Sequence, residues 1–278
     1  PKTGNYYFWV AANNAAELWI SNDAEYANKK GFSKHIPAFP LYESRDVEQT
    51  VKLFRTESRG KWFSPAEPIW MRFHDAGHLL GSNMIEVEIR NQKPALRILF
   101  SGDVGRYDGP LYHDPAPPTE CDYLICECTY GNRDHAEIDL LQSLADVVNR
   151  SVKRGGVMLV AAFAVGRSQQ LVYMLQLLKQ EGRIPDLPIY LDSPMACDAT
   201  AIYREYDEDI DLSEGELDAE TPFLGGSRVF YCRKTPESKA LNRHGGPAII
   251  ISSSGMMTGG RIVHHLKQRI SSAANTIV

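Results

Sequence analysis

Apolar and polar residues alternate along Ile69–Phe73 and Met84–Ile89, the two-residue period of strands with one buried face. Leu96–Ser101 is a third short apolar run, and Asp122–Cys126 is a fourth candidate strand. The proline-rich segment Pro110–Pro118 between them reads as a loop. Near His135 the pattern changes. Ile138, Leu141, Leu144, Val147, Val148 and Val152 mark one face of a helix, which Gly155-Gly156 stops. Val157–Phe163 is apolar throughout, as in a parallel strand buried on both faces. A helix over Ser168–Gln180, a strand at Ile189–Asp192 and a helix over Ala196–Tyr206 follow. Beyond an acidic stretch come a strand at Arg228–Cys232, a short helix at Glu237–Leu241, a strand at Ala248–Ser253 and a helix over Arg261–Ile270. Asn275–Val278 reads as the first residues of a strand with no obvious partner. Strands alternating with helices predict a parallel α/β layer in the second half. The sheet-rich first half is a separate layer.

Composition changes this picture little. A hydrophobic content of 43% and a charged content of 23% are those of a soluble globular chain. No apolar run is long enough for a transmembrane helix. Pro1–Val10 lacks the charged, apolar, small-residue order of a signal peptide, and the absence of an initiator Met suggests that the true start lies upstream. The net charge of −5 conceals an asymmetry. Glu205–Glu220 holds nine acidic residues and no basic one, and without it 30 basic residues face 26 acidic ones. The remaining surface can tolerate a polyanion, and the acidic run reads as a solvated linker or helix face. The five cysteines are odd in number, and Cys126-Glu127-Cys128 is too tight for a zinc clamp. They read as reduced, buried thiols of a cytoplasmic protein.

Five segments could carry chemistry. His74-Asp75-Ala76-Gly77-His78, with Ser82 and then Ser101-Gly102-Asp103, puts His and Asp in glycine-rich turns at strand ends. Such turns suit a zinc site on a sheet edge, or simply polar caps. Glu127, directly after an apolar strand, could orient a catalytic His or take a proton, or could hold backbone amides. Phe163-Ala164-Val165-Gly166-Arg167-Ser168 leads a strand into a helix whose free amides and Arg167 suit an anion. Asp192-Ser193-Pro194-Met195-Ala196 is a second such turn, equally readable as an ordinary helix N-cap. The last is Ser252-Ser253-Ser254-Gly255, running through Gly259-Gly260-Arg261 to His264-His265. Adjacent helical His side chains diverge by about 100°, so His264 and His265 cannot clamp one metal; one is expected to pack and the other to face a cleft. Neither GxGxxG nor Gly-Lys-Ser/Thr occurs, which disfavours a nucleotide-binding α/β protein.

In this order the segments resemble the β-CASP branch of the metallo-β-lactamase-fold nucleases. The matching motifs are Ala76-Gly77-His78 through Ser82, Ser101-Gly102-Asp103, and Glu127-Cys128-Thr129-Tyr130-Gly131. Phe163–Arg167, Asp192–Ala196 and Ser254–Leu266 look like the bacterial and archaeal members that process RNA. The resemblance implies a partial metallo-β-lactamase αββα sandwich (residues 1–135) plus a parallel α/β β-CASP cassette (136–278). It implies two zinc ions with His78 and Asp103 among their ligands, Asp103 bridging. Zinc would lower the pKa of a water that attacks a phosphodiester, and Glu127 would orient a proton-donating His. Arg167, Ser168, Ser193, Ser254, Gly255, Arg261, His264 and His265 would hold substrate, with RNA expected over DNA.

Departures from the family pattern are specific. The His-x-His-x-Asp-His motif should precede Asp23, yet Pro1–Ser21 contains no His. The cassette's Ser-Gly-His-Ala-Asp-like motif and the last zinc His should follow Val278, and Cys128 stands where Ser is usual. Two readings therefore compete: a piece of a zinc-dependent ribonuclease, and a catalytically incomplete RNA-binding or scaffold protein. No membrane partner is expected. Exposed strand edges would allow a homodimer.

Overall fold

In the computed structural model, residues 44–134, 136, 138–212, 223–226 and 228–278 are described. The residue at the change of character, His135, lies outside them, as do Pro1–Ser21 and the acidic residues from 213 to 220. Contacts divide the chain into two compact units, residues 1–58 and 59–278. In the first, α1 spans Ser44–Val51, an amphipathic helix that the hydropathy pattern did not reveal.

The second unit contains two five-stranded sheets. The first runs in the order β1 (Phe63–Ala66), β2 (Ile69–Asp75), β3 (Asn83–Ile89), β4 (Leu96–Phe100) and β5 (Tyr123–Ile125). β1 to β4 pair antiparallel, and β5 joins β4 in parallel. β2, β4 and β5 therefore point the same way, and their C-terminal ends share one edge of the sheet. The register sorts the side chains. Ile69, Met71 and Phe73 lie on one face with Ile85, Val87, Ile89, Ile98 and Phe100. The other face carries Trp70, Arg72 and His74 opposite Glu88, Glu86 and Met84.

Burial runs opposite to the usual alternation. Glu86 and Glu88 are only 1% and 6% exposed, while Ile85, Val87 and Ile89 are half-buried. Buried carboxylates must be paired. Glu86 accepts from Arg72 and bonds His74 Nε2 at 2.8 Å; Glu88 accepts from Arg90 and Arg97. Arg72 and Arg90 lie over the Trp62 ring, and Arg90 also over Trp70. Burial alone would raise the Glu86 pKa, but the Arg72 and His74 hydrogen bonds outweigh it and hold the carboxyl below its ordinary value.

The second sheet has the order β10 (Thr276–Ile277), β6 (Val157–Ala161), β9 (Ala248–Ser252), β7 (Ile189–Asp192), β8 (Val229–Tyr231), all parallel. Between them run α2 (Leu140–Lys153), α3 (Arg167–Gln180), α4 (Pro194–Glu205), α5 (Thr235–Leu241) and α6 (Arg261–Arg269). Every residue of β9 is buried, as continuous apolar runs require when both faces are covered. One core gathers Met158, Val160, Ile189, Leu191, Ile249 and Ile251 with α2, α3 and α4. The other gathers Leu159, Ile250 and Cys232 with Leu241 of α5 and Ile262 of α6.

Three expectations need correction. Thr276–Ile277 is not partnerless; it pairs in parallel with Met158 and Leu159 of β6. Ile138 lies ahead of α2 and is exposed, because Asp139 caps the helix by accepting from the Gln142 amide. The proline-rich loop is more than a connector. Leu111 is 1% exposed and packs into the cassette core. Tyr112 Oη meets Tyr203 Oη of α4 at 2.9 Å, and the Gln170 side chain donates to Pro110 O. Burial and the neighbouring Tyr203 push the Tyr112 phenol far up, so it stays neutral.

Candidate active site

Three side chains converge where β2, β4 and β5 end. His78 sits in the turn after β2. Asp75 Oδ1 accepts from the Gly77 amide, and its Oδ2 accepts from Arg59. Ser82 Oγ then accepts from the His78 and Leu79 amides at 3.1 and 3.2 Å. The Gly-Ser at the end of the motif thus pins the backbone that presents His78. Gly77 has φ +62, and a Cβ there would fall 2.7 Å from His113 O. A Cβ on Gly105 would fall 1.8 Å from Gly77 O. Both loops are glycine because they touch backbone to backbone.

Asp103 follows β4. Buried Ser101 ties its turn to β5: its hydroxyl donates to Gly102 O and accepts from the Glu127 amide at 2.9 Å. Glu127 reaches back, Oε1 accepting from Val104 N at 2.9 Å and Oε2 from Thr129 N at 3.3 Å. Hydrogen bonds from the Thr129 side chain and the Val104 amide lower its pKa, with a further contribution from nearby His78. Glu127 is thus held ionised. His78 Nε2 lies 4.0 Å from Asp103 Oδ2, with these side chains 43% and 56% exposed. The pair is open to a ligand rather than spent on the fold. His74 does not join it, being turned to Glu86.

The donor chemistry suits zinc, since neutral imidazole and carboxylate oxygen are both ordinary ligands. Among the described residues no group of three or more His, Cys, Asp and Glu could hold a metal. His78 and Asp103 offer two donors of this kind, 4.0 Å apart.

The cassette presents helix starts to this region unequally. Gly166, the N-cap of α3, has φ +80, and a Cβ there would lie 3.5 Å from Leu79 Cβ, so the α3 turn abuts the His78 loop. Arg167 is exposed and bonds Gln170. Ser193 Oγ accepts from Ala196 N as the N-cap of α4. Gly255 packs against Phe163, joining the turns that follow β9 and β6. The Ser253 and Ser254 hydroxyls are buried with no hydrogen-bond partner among the described residues. His264 is exposed.

Five side chains expected to meet substrate face the interior instead, Ser193 (6% exposed) and the buried Ser254 hydroxyl among them. Ser168 is fully buried and donates to Phe163 O at 2.6 Å. His265 is 1% exposed; its Nε2 donates to Asp192 Oδ2 at 2.6 Å, and its Nδ1 bonds Asn242 Oδ1. Arg261 donates to Asp192 Oδ1 and to the carbonyls of Cys232 and Arg233. Asp192, fully buried at the end of β7, was missed as a centre. It also accepts from Ser238. Burial would raise its pKa, but the His265, Ser238 and Arg261 hydrogen bonds prevail and lower it. A carboxylate directly after a buried parallel strand was the signal. Ser82 was also undervalued, because its role depends on the turn it closes.

Residues 168–278 match the Beta-Casp domain family. Over 244 residues the chain is 33% identical to Ribonuclease TTHA0252 of Thermus thermophilus, which covers 86% of this chain and 54% of that protein. The chain carries a Beta-Casp domain. Another relative, Transcription termination factor FttA of Pyrococcus abyssi, is 32% identical over 248 residues, 86% of this chain and 37% of that protein. The RNase J-like protein of Methanocaldococcus jannaschii is 28% identical over 266 residues, 93% of this chain and 54% of that one. The chain thus spans about half the length of two of these relatives and little more than a third of the other. Its Beta-Casp match begins inside α3, so His78, Asp103 and Glu127 all lie ahead of it. Among the described residues no helix is long and apolar enough to cross a membrane.

Proposed function

We propose that this chain is part of a metal-dependent phosphodiester hydrolase acting on RNA. The observation that carries this reading is the convergence of His78, Asp103 and ionised Glu127 at one sheet edge, the first two 4.0 Å apart. Residues 1–135 would belong to a metallo-β-lactamase domain and 136–278 to the β-CASP domain. Relatives named as ribonucleases support RNA as the substrate class over DNA. Five unpaired cysteines suit a reducing cytoplasm, although only Cys197 and Cys232 are buried as expected and Cys126 and Cys128 are exposed.

His78 and Asp103 would hold zinc with further ligands from outside the described residues. Zinc bound there supplies a water of lowered pKa and a counter-charge for phosphoryl oxygens. The chain's own groups do the rest. Glu127, kept charged by the Val104 and Thr129 amides, orients a proton donor. Arg167, the first-turn amides of α3, Gly255 and exposed His264 receive substrate phosphates. Ser168, Arg261 and His265 act beneath this surface by fixing the loops.

A second reading is an RNA-binding protein or scaffold without catalysis of its own, because the site as described brings together two donors, His78 and Asp103, where a catalytic zinc ion takes three. Zinc content and cleavage of a labelled RNA separate the two. Near-stoichiometric zinc, with cleavage abolished in Asp103→Ala, supports the hydrolase and excludes the scaffold. Less than about one zinc per chain with no cleavage rules out independent catalysis.

A further inference from the structure

A cleft on the cassette lies away from the site above. β7 directs Ile189 and Leu191 to the core that α3 and α4 cover, the side on which Tyr203 of α4 meets Leu80 of the His78 loop. Tyr190 points the other way, to the side of α5 and α6. There its ring stacks on Phe230 of edge strand β8, centroids 5.1 Å apart and planes 23° off parallel. His244 closes one side, edge-on to Tyr190 at 5.5 Å. The cleft holds about 600 Å³, with Leu241, Glu237 and Arg243 completing its wall.

Two features make this a built site. The turn carrying His244 is fixed from within: Arg269, 7% exposed, donates to the carbonyls of Leu241 and His244. Phe230, by contrast, leaves 43% of its surface exposed on an otherwise well-buried sheet. The charges are unequal in availability. Glu237 accepts from the Lys234 amide, whereas exposed Arg243 has no side-chain partner among the described residues.

We propose that this cleft binds an unpaired nucleobase of single-stranded RNA, stacked on Phe230, with Arg243 taking the adjoining phosphate. Every base has a π-face, so a rigid aromatic pair beside a free guanidinium is a sequence-tolerant holding point. The cleft volume is in the range of nucleotide-sized ligands. The inference rests on the reading of the chain as RNA-acting. It places a second grip on the opposite face of the sheet from the metal-site loop, so a bound strand would wrap the cassette's edge.

The test is fluorescence anisotropy with a labelled, unstructured 12-nucleotide RNA in EDTA, which separates binding from cleavage. Phe230→Ala should weaken binding about tenfold, and Phe230→Trp should retain it. Arg243→Ala should weaken it roughly threefold and reduce the salt dependence by about one ion. Circular dichroism checks that the variants fold. If the parent chain binds and Phe230→Ala binds within about twofold of it, the nucleobase site is wrong while the RNA reading stands, and the cleft is left to a protein partner. If the parent chain does not bind the RNA at all, both fall together.

Discussion

The two sheets solve burial in opposite ways. In β9 of the cassette every side chain is inside, and helices cover both faces. In β3 of the first sheet the carboxylates are inside and the isoleucines are half-exposed. The cassette is held by apolar contact, which is non-directional and tolerates similar shapes. The first sheet relies on Arg–Glu–His pairs under Trp rings, which demand exact partners and respond to pH. The candidate metal donors stand on the second kind of frame. The difference suggests that the donors can be disturbed by chemistry that leaves the cassette intact.

The sharpest challenge comes from Asp192, where the cassette also uses buried charge. Removing one partner of a buried pair leaves the other uncompensated, so Asp192→Ala should cost about 3–5 kcal/mol in urea denaturation. A cost near zero would mean that the Asp192 network is not structural. The next contrast is apolar. Ile250→Ala, at a fully buried position in β9, should cost about 2–5 kcal/mol, whereas Ile85→Ala in β3 should cost less than about 1.5 kcal/mol. Equal costs would erase the distinction between the sheets.

A smaller effect tests the polar frame by pH. The folded-state pKa of Glu86 is below the ordinary carboxylate value of 4.5. Its contribution is therefore complete above that value and is lost as pH falls through the lower folded pKa. Glu86→Gln should cost about 1–3 kcal/mol at neutral pH and flatten the loss of stability in acid. A parallel titration curve for the variant would show that Glu86 is not the source of acid sensitivity. Last, Ser82→Ala should cost about 1 kcal/mol, the usual loss when a side-chain acceptor for turn amides is removed. Amide exchange at His78 and Leu79 should rise with it, and unchanged protection there would mean that Ser82 does not pin the loop.

Much of this fold was legible where one signal dominated. Val157–Ala161 and Ala248–Ser252 are apolar throughout, and both are central strands. Ser193-Pro194 marked the start of α4 through its capping hydroxyl and its proline in the first turn. β1 was missed because Phe63–Ala66 has a proline and no alternation. In β3 the strand was evident but its inner face was not. Hydropathy predicts that Ile85 and Val87 go inside, and only the cross-strand partners of Glu86 and Glu88 explain the reverse. The His78, Asp103 and Glu127 motifs could be read, but their convergence depends on β2, β4 and β5 running the same way. His265 reads as a substrate contact because sequence carries no burial, and its partner Asp192 is 73 residues away.

The strand order of the cassette also sets a timetable. β6 lies between β10 and β9, and Val157 pairs with Ala248. At a synthesis rate of about 5–20 residues per second, β6 would wait roughly 5–20 s for β9 to be made. Its sequence, Val-Met-Leu-Val-Ala, is a short, uncharged, β-favouring segment of the kind that self-associates. During that interval α2, already synthesised and amphipathic, is the nearest apolar cover, and its early docking would decide how much nascent chain reaches the folded state.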